Sequence, residues 1–322
     1  MREQNLVSEG PLVTIGIPTY NRVQRTLPEA LSSALAQTYP NLEVVVSDNA
    51  SEDGTEEFMA SQHDARLRYH RHPVNVGANA NFNACLDLAQ GRYFLLLLDD
   101  DLLDATFIAR AVEALAGSDP GVVLGGTQVI DTTGRIQSRA PAPAANRGPA
   151  GLFLDWFSNR ASFYLFSTLF ATDRLREIGG FRSPEGLFQD VVAIARLAGR
   201  YGYVSAPGDA GAFRRHEGNL GGAVHPLRWT RDSEYLLDVI CAEMPAEADR
   251  LRSAGAPYLA AKCYRYVPSV PSLMEQWRLY REIDRRFGHA YSPWAFASRY
   301  YRKRPRAVLA SWLRSSGLRR VV

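Results

Sequence analysis

Tyr93-Phe94-Leu95-Leu96-Leu97-Leu98-Asp99-Asp100-Asp101 is the stretch on which the reading of this chain turns. Its apolar part is too short to span a membrane and long enough for one buried parallel strand. The carboxylates that follow leave the strand at its C-terminal end, the edge at which open α/β sheets bind ligands. Clustered carboxylates repel one another unless a cation stands among them. Hard oxygen ligands favour Mg2+ or Mn2+, which keep positions open for substrate phosphates. A single aspartate here is also explained as the acidic start of a helix, and a helix is expected from about Asp104. Three in a row after a buried strand point to the metal.

Upstream, residues 12–17 read as a strand ended by Pro18, and residues 42–46 and 67–70 as two more strands. Helical patterns separate them at residues 28–37, from about Thr55, and at residues 80–89. Strands alternating with helices predict βαβ units and a Rossmann-like, mostly parallel sheet flanked by helices. Downstream, residues 122–130 predict a strand that returns as a hairpin through Asp131-Thr132-Thr133-Gly134. Residues 140–151, rich in Pro, Ala and Gly, read as a mobile loop, and the aromatic-rich residues 152–170 resist assignment. A helix is expected from Asp190 to about Arg200, and residues 227 onward are mostly helical with proline interruptions. Two domains follow from this pattern, residues 1–224 and a helical extension at 225–322.

The apolar fraction of 46% and charged fraction of 22% are those of a soluble globular protein. The opening MREQNLVSEG carries no apolar h-region, so no signal peptide is expected, nor any membrane-spanning helix. Cys85, Cys241 and Cys263 fit neither a disulfide framework nor a zinc site. They suggest buried core thiols and a reducing cytoplasm. The net charge of +3 is unevenly spread, because no acidic residue follows Asp284 while Arg285, Arg286, Arg299, Arg302, Lys303, Arg304, Arg306, Arg314, Arg319 and Arg320 do. A helix over residues 307–318, with Val308, Leu309, Trp312 and Leu313 on one face, reads as a peripheral membrane anchor or as a surface packed on another subunit. The acidic strand ends argue against nucleic-acid binding by the main domain.

The strand ends carry the chemistry. Pro18-Thr19-Tyr20-Asn21-Arg22 follows the first strand and Ser47-Asp48-Asn49-Ala50-Ser51-Glu52-Asp53-Gly54 the second, so a ligand along the sheet edge meets both and the aspartates. A nucleoside diphosphate suits them. Asp48 can accept the imide N–H of a uracil or thymine, backbone groups near Thr19 and Tyr20 can meet the ring carbonyls, and the diphosphate needs the cation. Taken alone, Asp48-Asn49 is also an ordinary Asx turn. No GxGxxG follows the first strand and no GxxxxGK[ST] occurs, which excludes nicotinamide dinucleotide enzymes and P-loop NTPases. The missing glycine-rich loop also speaks against a sugar-nucleotide nucleotidyltransferase.

In order, residues 17–22, 46–55, Asn75-Val76-Gly77, Asn83, Gly91-Arg92-Tyr93, Asp99-Asp100-Asp101, Ile178-Gly179-Gly180-Phe181 and Gln189-Asp190 resemble the bacterial family 2 glycosyltransferases with the GT-A fold. The resemblance covers about residues 10–220 and is nearest to the branch that decorates cell-surface polysaccharides such as O-antigen. It implies a cytoplasmic, inverting transferase of hexosyl type. The donor would be a nucleoside diphosphate sugar, UDP or dTDP, and the acceptor a saccharide or lipid-linked hydroxyl, with Mg2+ or Mn2+ assisting. Residues 1–224 would then be the nucleotide-sugar-binding and catalytic domain. Pro18, Thr19, Tyr20, Asn21, Asp48, Asn49 and Asp99 would hold the nucleotide, Asp100 and Asp101 the metal, and Asp190 would be the general base. The family's Asp-x-Asp-Asp spacing puts Leu98 at its first aspartate and Asp100 at the metal position, while the alternative register uses Asp99 and Asp101. Phe82 stands where many members carry Arg, so a basic diphosphate contact is either missing or supplied elsewhere, with Arg214, Arg215 and His216 as candidates. His216 reads as a metal ligand, a diphosphate donor or a loop cap. Trp156, Phe157, Phe163, Tyr164 and Trp229 read as an aromatic acceptor platform or as core. The rival to an enzyme is a catalytically silent nucleotide-sugar-binding protein on the same fold.

Overall fold

The computed structural model describes residues 10–216, 224–288, 291–301 and 309. They form two compact units, residues 1–182 with 189–219, and Ser183–Phe188 with Leu220–Val322.

The first unit is built on one sheet. Its strands are β1 (Val13–Thr19), β2 (Leu42–Asp48), β3 (Leu67–Arg71), β4 (Tyr93–Leu96), β5 (Leu102–Leu103), β6 (Val122–Ile130), β7 (Ile136–Ala140), β8 (Thr168–Ala171) and β9 (Tyr203–Arg214). They lie in the order β3-β2-β1-β4-β8-β6-β9-β5, with β7 paired to β6. β1 to β4 are parallel, as the alternating pattern predicts. Beyond β4 the sheet is mixed, because β8 runs antiparallel to both β4 and β6 while β9 is parallel to β6. The helices are α1 (Leu27–Leu35), α2 (Thr55–Ala60), α3 (Ala78–Leu88), α4 (Phe107–Leu115), α5 (Gly148–Phe157), α6 (Thr172–Glu177) and α7 (Gln189–Tyr201).

Every residue of β1 and β2 is buried, which follows from a parallel sheet covered on both faces. Val13, Ile15 and Ile17 of β1 join one core cluster with Leu27, Ala30, Leu31 and Ala34, the i, i+3, i+4, i+7 stripe of α1. Phe107, Ile108, Ala111 and Leu115 of α4 extend it. Gly16 faces the other side, where α3 packs closely. A Cβ there would stand 2.7 Å from Cys85 Cβ and 2.9 Å from the Phe94 ring.

Several boundaries differ from the sequence reading. β1 runs through Pro18 to Thr19. The β4 side of the ladder ends with the Leu97 N–H to Gly16 C=O bond at 2.9 Å, so the N–H that Pro18 lacks is not needed. β4 stops at Leu96, two residues before the apolar run does. Residues 140–151 are not one loop, since α5 begins at Gly148 with a proline in its first turn. All three cysteines are buried and free.

The second unit holds α8 (Pro226–Glu243), α9 (Ala248–Tyr266), α10 (Leu273–Arg286) and α11 (Pro293–Tyr300). Among the described residues no helix is long and apolar enough to cross a membrane. The expected anchor helix over residues 307–318 lies outside the described residues apart from Leu309. Arg286 pairs instead with Glu234 and Glu282, and Arg285 with Glu282.

Candidate active site

The loops leaving β1 and β2 are tied to each other. Asn21, left-handed at φ 53°, donates its N–H to Ser51 Oγ at 2.9 Å and accepts the Glu52 N–H on its side-chain oxygen at 2.8 Å. The Val23 N–H donates to Asp53 at 3.0 Å. Asn and Asp supply these bonds because their short side chains reach neighbouring backbone and tolerate a positive φ. Asp48, at 0% exposure, accepts the Ser51 N–H, three residues on rather than the two of an Asx turn, at 2.9 Å. Its other oxygen accepts the Tyr69 hydroxyl at 2.7 Å and faces Arg71 at 3.7 Å. Asn49 binds the Asn75-Val76-Gly77 segment, accepting the Val76 N–H at 2.8 Å and donating to Asn75 at 3.0 Å. Tyr20 remains 45% exposed at this edge.

The three aspartates take different partners. Thr19 donates its hydroxyl to Asp99 at 2.7 Å, and the Tyr20 N–H reaches the same oxygen at 3.4 Å. Burial pushes the Asp99 carboxyl up to about 7, opposed by the Thr19 bond and reinforced by the Asp100 charge. Asp100 meets His216 Nε2 at 2.8 Å, joining residues far apart in sequence. Asp101 is almost wholly buried and accepts the Arg214 N–H at 3.0 Å. Burial, then the neighbouring Asp100, holds its carboxyl well above the usual range. The β9 end therefore docks onto the triplet through Arg214 and His216. Arg214 also donates to the Asp100 carbonyl at 3.1 Å and pairs with Glu29 at 2.5 Å.

Beside this junction lies a cavity of ≈ 960 Å³ whose walls include Arg22, Arg25, Arg214, Arg215, His216 and, as the one acid among the described residues, Glu29. A basic cleft against an acidic cluster is the electrostatics that a metal-bridged diphosphate requires. Arg25 escaped the sequence reading. Its only signal is that it follows Arg22 by three residues in the turn after β1.

Asp190 sits in the first turn of α7, half-buried, and accepts the Val191 N–H at 2.8 Å. The Gly179-Gly180-Phe181 turn is fastened by Asn83, which accepts the Phe181 N–H at 2.8 Å and donates to its carbonyl at 3.1 Å. The aromatic platform does not form as one surface. Trp156, Phe157 and Phe163 are buried together in the core, Tyr164 stacks between Phe166 and Phe213, and Trp229 stacks on Tyr266 of the second unit.

Residues 14–174 match glycosyl transferase family 2. The chain belongs to this family. An uncharacterized glycosyltransferase of Rickettsia bellii is 33% identical over 139 residues, 42% of this chain and 20% of that protein. Abequosyltransferase RfbV of Salmonella typhimurium is 41% identical over 97 residues, 29% of each chain. The matched region is thus a minor part of these relatives' length. Among solved structures, S. aureus TarS 1-349 in complex with UDP-GlcNAc aligns with TM-score 0.65 and 16% identity, over 94% of this chain and 89% of that one. Mannosyltransferase PcManGT from Pyrobaculum calidifontis, in complex with GDP-Man and Mn2+, aligns with TM-score 0.51 and 21% identity, over 94% and 87%. The common element is the GT-A fold.

Among the described residues, no three His, Cys, Asp or Glu side chains are already gathered as a ligand set. The donors nevertheless fit a divalent cation of the Mg2+ or Mn2+ type. Asp100 and His216 present an oxygen and a nitrogen 2.8 Å apart. Such ions take one or two protein ligands and complete their shell with phosphate oxygens and water. Asp101 is tied to the Arg214 N–H through one oxygen, Oδ1.

Proposed function

We propose that the chain transfers a sugar from a UDP- or dTDP-sugar to a hydroxyl of a saccharide or lipid-linked acceptor, with inversion at the anomeric carbon. The observation that carries the reading is the junction of Asp100 with His216, set between the Thr19–Asp99 bond and the basic cleft. TarS, whose structure holds UDP-GlcNAc, and the abequosyltransferase relative support a nucleotide-sugar donor.

The nucleoside lies along the ends of β1 and β2, with Pro18, Thr19, Tyr20 and Asn21 on one side and Asp48 and Asn49 on the other. Asp48, fully buried, is held by Tyr69 and Ser51 and shapes the turn that flanks the base. Tyr20 offers an exposed ring to it. Asp100 and His216 would hold the divalent cation, which supplies positive charge against the diphosphate leaving group. Arg22, Arg25 and Arg215 add fixed positive charge on the same side, so the developing charge is stabilised without reorganisation. Asp190 takes the proton of the acceptor hydroxyl as its oxygen attacks the anomeric carbon and the bond to the diphosphate breaks.

Asp190→Asn keeps the shape and removes the base. It is expected to lower turnover by about 10²-fold to 10⁴-fold while nucleotide binding persists. Full turnover in this variant removes Asp190 from the mechanism.

A further inference from the structure

Arg214, at the end of β9, is 7% exposed. A guanidinium so far out of water needs anionic or carbonyl partners. Its Nε donates to the Asp100 carbonyl at 3.1 Å, and a terminal nitrogen pairs with Glu29 of α1 at 2.5 Å. All three residues belong to the first unit. The backbone here is held separately. The Arg214 N–H meets Asp101 at 3.0 Å, and the Arg215 N–H meets the Ile130 carbonyl of β6 at 2.8 Å. The pair with Glu29 is therefore not what keeps β9 in the sheet.

Glu29 is an open residue in the first turn of α1, its side chain 57% exposed. An acid there has an ordinary explanation in the field of the helix N-terminus, which is weak at an exposed site. Its choice of partner asks for more. Arg22, Arg25 and Arg215 line the same cavity, yet Glu29 takes Arg214, whose guanidinium is bonded to Asp100. Arg214 and a divalent cation are rivals for the same carboxylates. A guanidinium matches a carboxylate in shape and charge and binds it through two parallel N–H bonds. The Asp100 carboxylate is carried by the residue whose carbonyl Arg214 already holds. Engaged by Glu29, the guanidinium stays at that carbonyl, and the carboxylate faces His216. Were Glu29 neutral, a buried charge would lose a partner, and Asp100 and Asp101 are the neighbouring anions.

We propose that Glu29 is a positioning residue for the cation: by holding the Arg214 guanidinium, it keeps the Asp100 carboxylate open to a divalent metal shared with His216. The inference rests on the cation role given to Asp100 and His216 above. Glu29 acts through Arg214.

The test measures the Mn2+ affinity of the full chain at a fixed, saturating concentration of UDP or dTDP, from the rise of the thermal midpoint as Mn2+ is added. Glu29→Gln keeps the shape and removes the charge. It is expected to weaken Mn2+ binding by about tenfold to a hundredfold. The loss is expected to vanish in an Arg214→Met background, where no guanidinium remains to move. An equal loss from Glu29→Gln in both backgrounds would overturn the proposal, because a plain charge effect on the metal is independent of Arg214.

A second readout leaves Arg214 in place and so stands if Arg214→Met does not fold. Attraction between an exposed Glu29 and the metal is screened at high salt, where the Debye length falls to about 3 Å at about 1 M. A buried guanidinium seated on Asp100 is not. The loss in Glu29→Gln, relative to wild type at the same salt, is expected to persist from about 0.05 M to about 1 M NaCl. A loss that disappears at the higher salt would overturn the proposal. A wild type with no Mn2+-dependent shift removes the cation reading and this inference together. A wild-type shift that Glu29→Gln leaves unchanged removes this inference alone.

Discussion

At the scale of single residues, the edge of the sheet is a set of carboxylates that have been given separate work. Asp48 closes a turn, Asp99 is met by Thr19, Asp100 faces His216, and Asp101 holds the end of β9. Thr19→Val keeps the shape and takes the donor away from Asp99. It is expected to cost about 1–3 kcal/mol, read as a lower urea midpoint with an unchanged slope, and to weaken nucleotide binding. An unchanged midpoint would mean that water replaces the hydroxyl. The acidic triplet and the Thr19 and Asp48 turns were legible in the sequence because they fall together at the C-terminal ends of apolar runs. The partner of each aspartate was not. Which carboxylate meets His216 depends on where β4 ends, and a run of leucines carries no mark of its last paired residue.

At the scale of elements, the parallel half of the sheet follows from composition. β1, β2 and β4 are rich in apolar residues and buried on both faces, and α1 carries a regular stripe. β9 was not foreseen. Pro207, Gly208 and Gly211 interrupt any alternation within it, and its register against β6 shifts at Gly126. β5 and β8 are two and four residues long, too short for a period to register. The approach of α3 to β1 depends on Gly16. Gly16→Ala is expected to destabilise by about 1–3 kcal/mol, because Cys85 and Phe94 leave no room for the added methyl. Thermal unfolding measures this directly, and a wild-type midpoint would show that α3 can shift at little cost. Asn83→Ala releases both backbone groups of Phe181, a residue at 0% exposure. A loss of about 1–3 kcal/mol is expected, together with faster exchange of the Phe181 amide.

At the scale of the whole molecule, what unites the chain is a charge arrangement. An acidic strand-end cluster stands against a basic cleft of ≈ 960 Å³, both parts of the first unit. The family 2 match over residues 14–174 spans the acidic side and its strand ends. The central claim is that Asp100 and His216 hold a divalent cation that grips a nucleoside diphosphate. Thermal unfolding of the full chain with UDP or dTDP, with and without Mn2+, tests it most directly. A hundredfold excess of ligand over its Kd stabilises by about 2.7 kcal/mol, a shift of several degrees. The account predicts this shift for the wild type only when nucleotide and Mn2+ are both present, and its loss in Asp100→Asn and His216→Ala. An equal shift without Mn2+, or one that survives both substitutions, would contradict it.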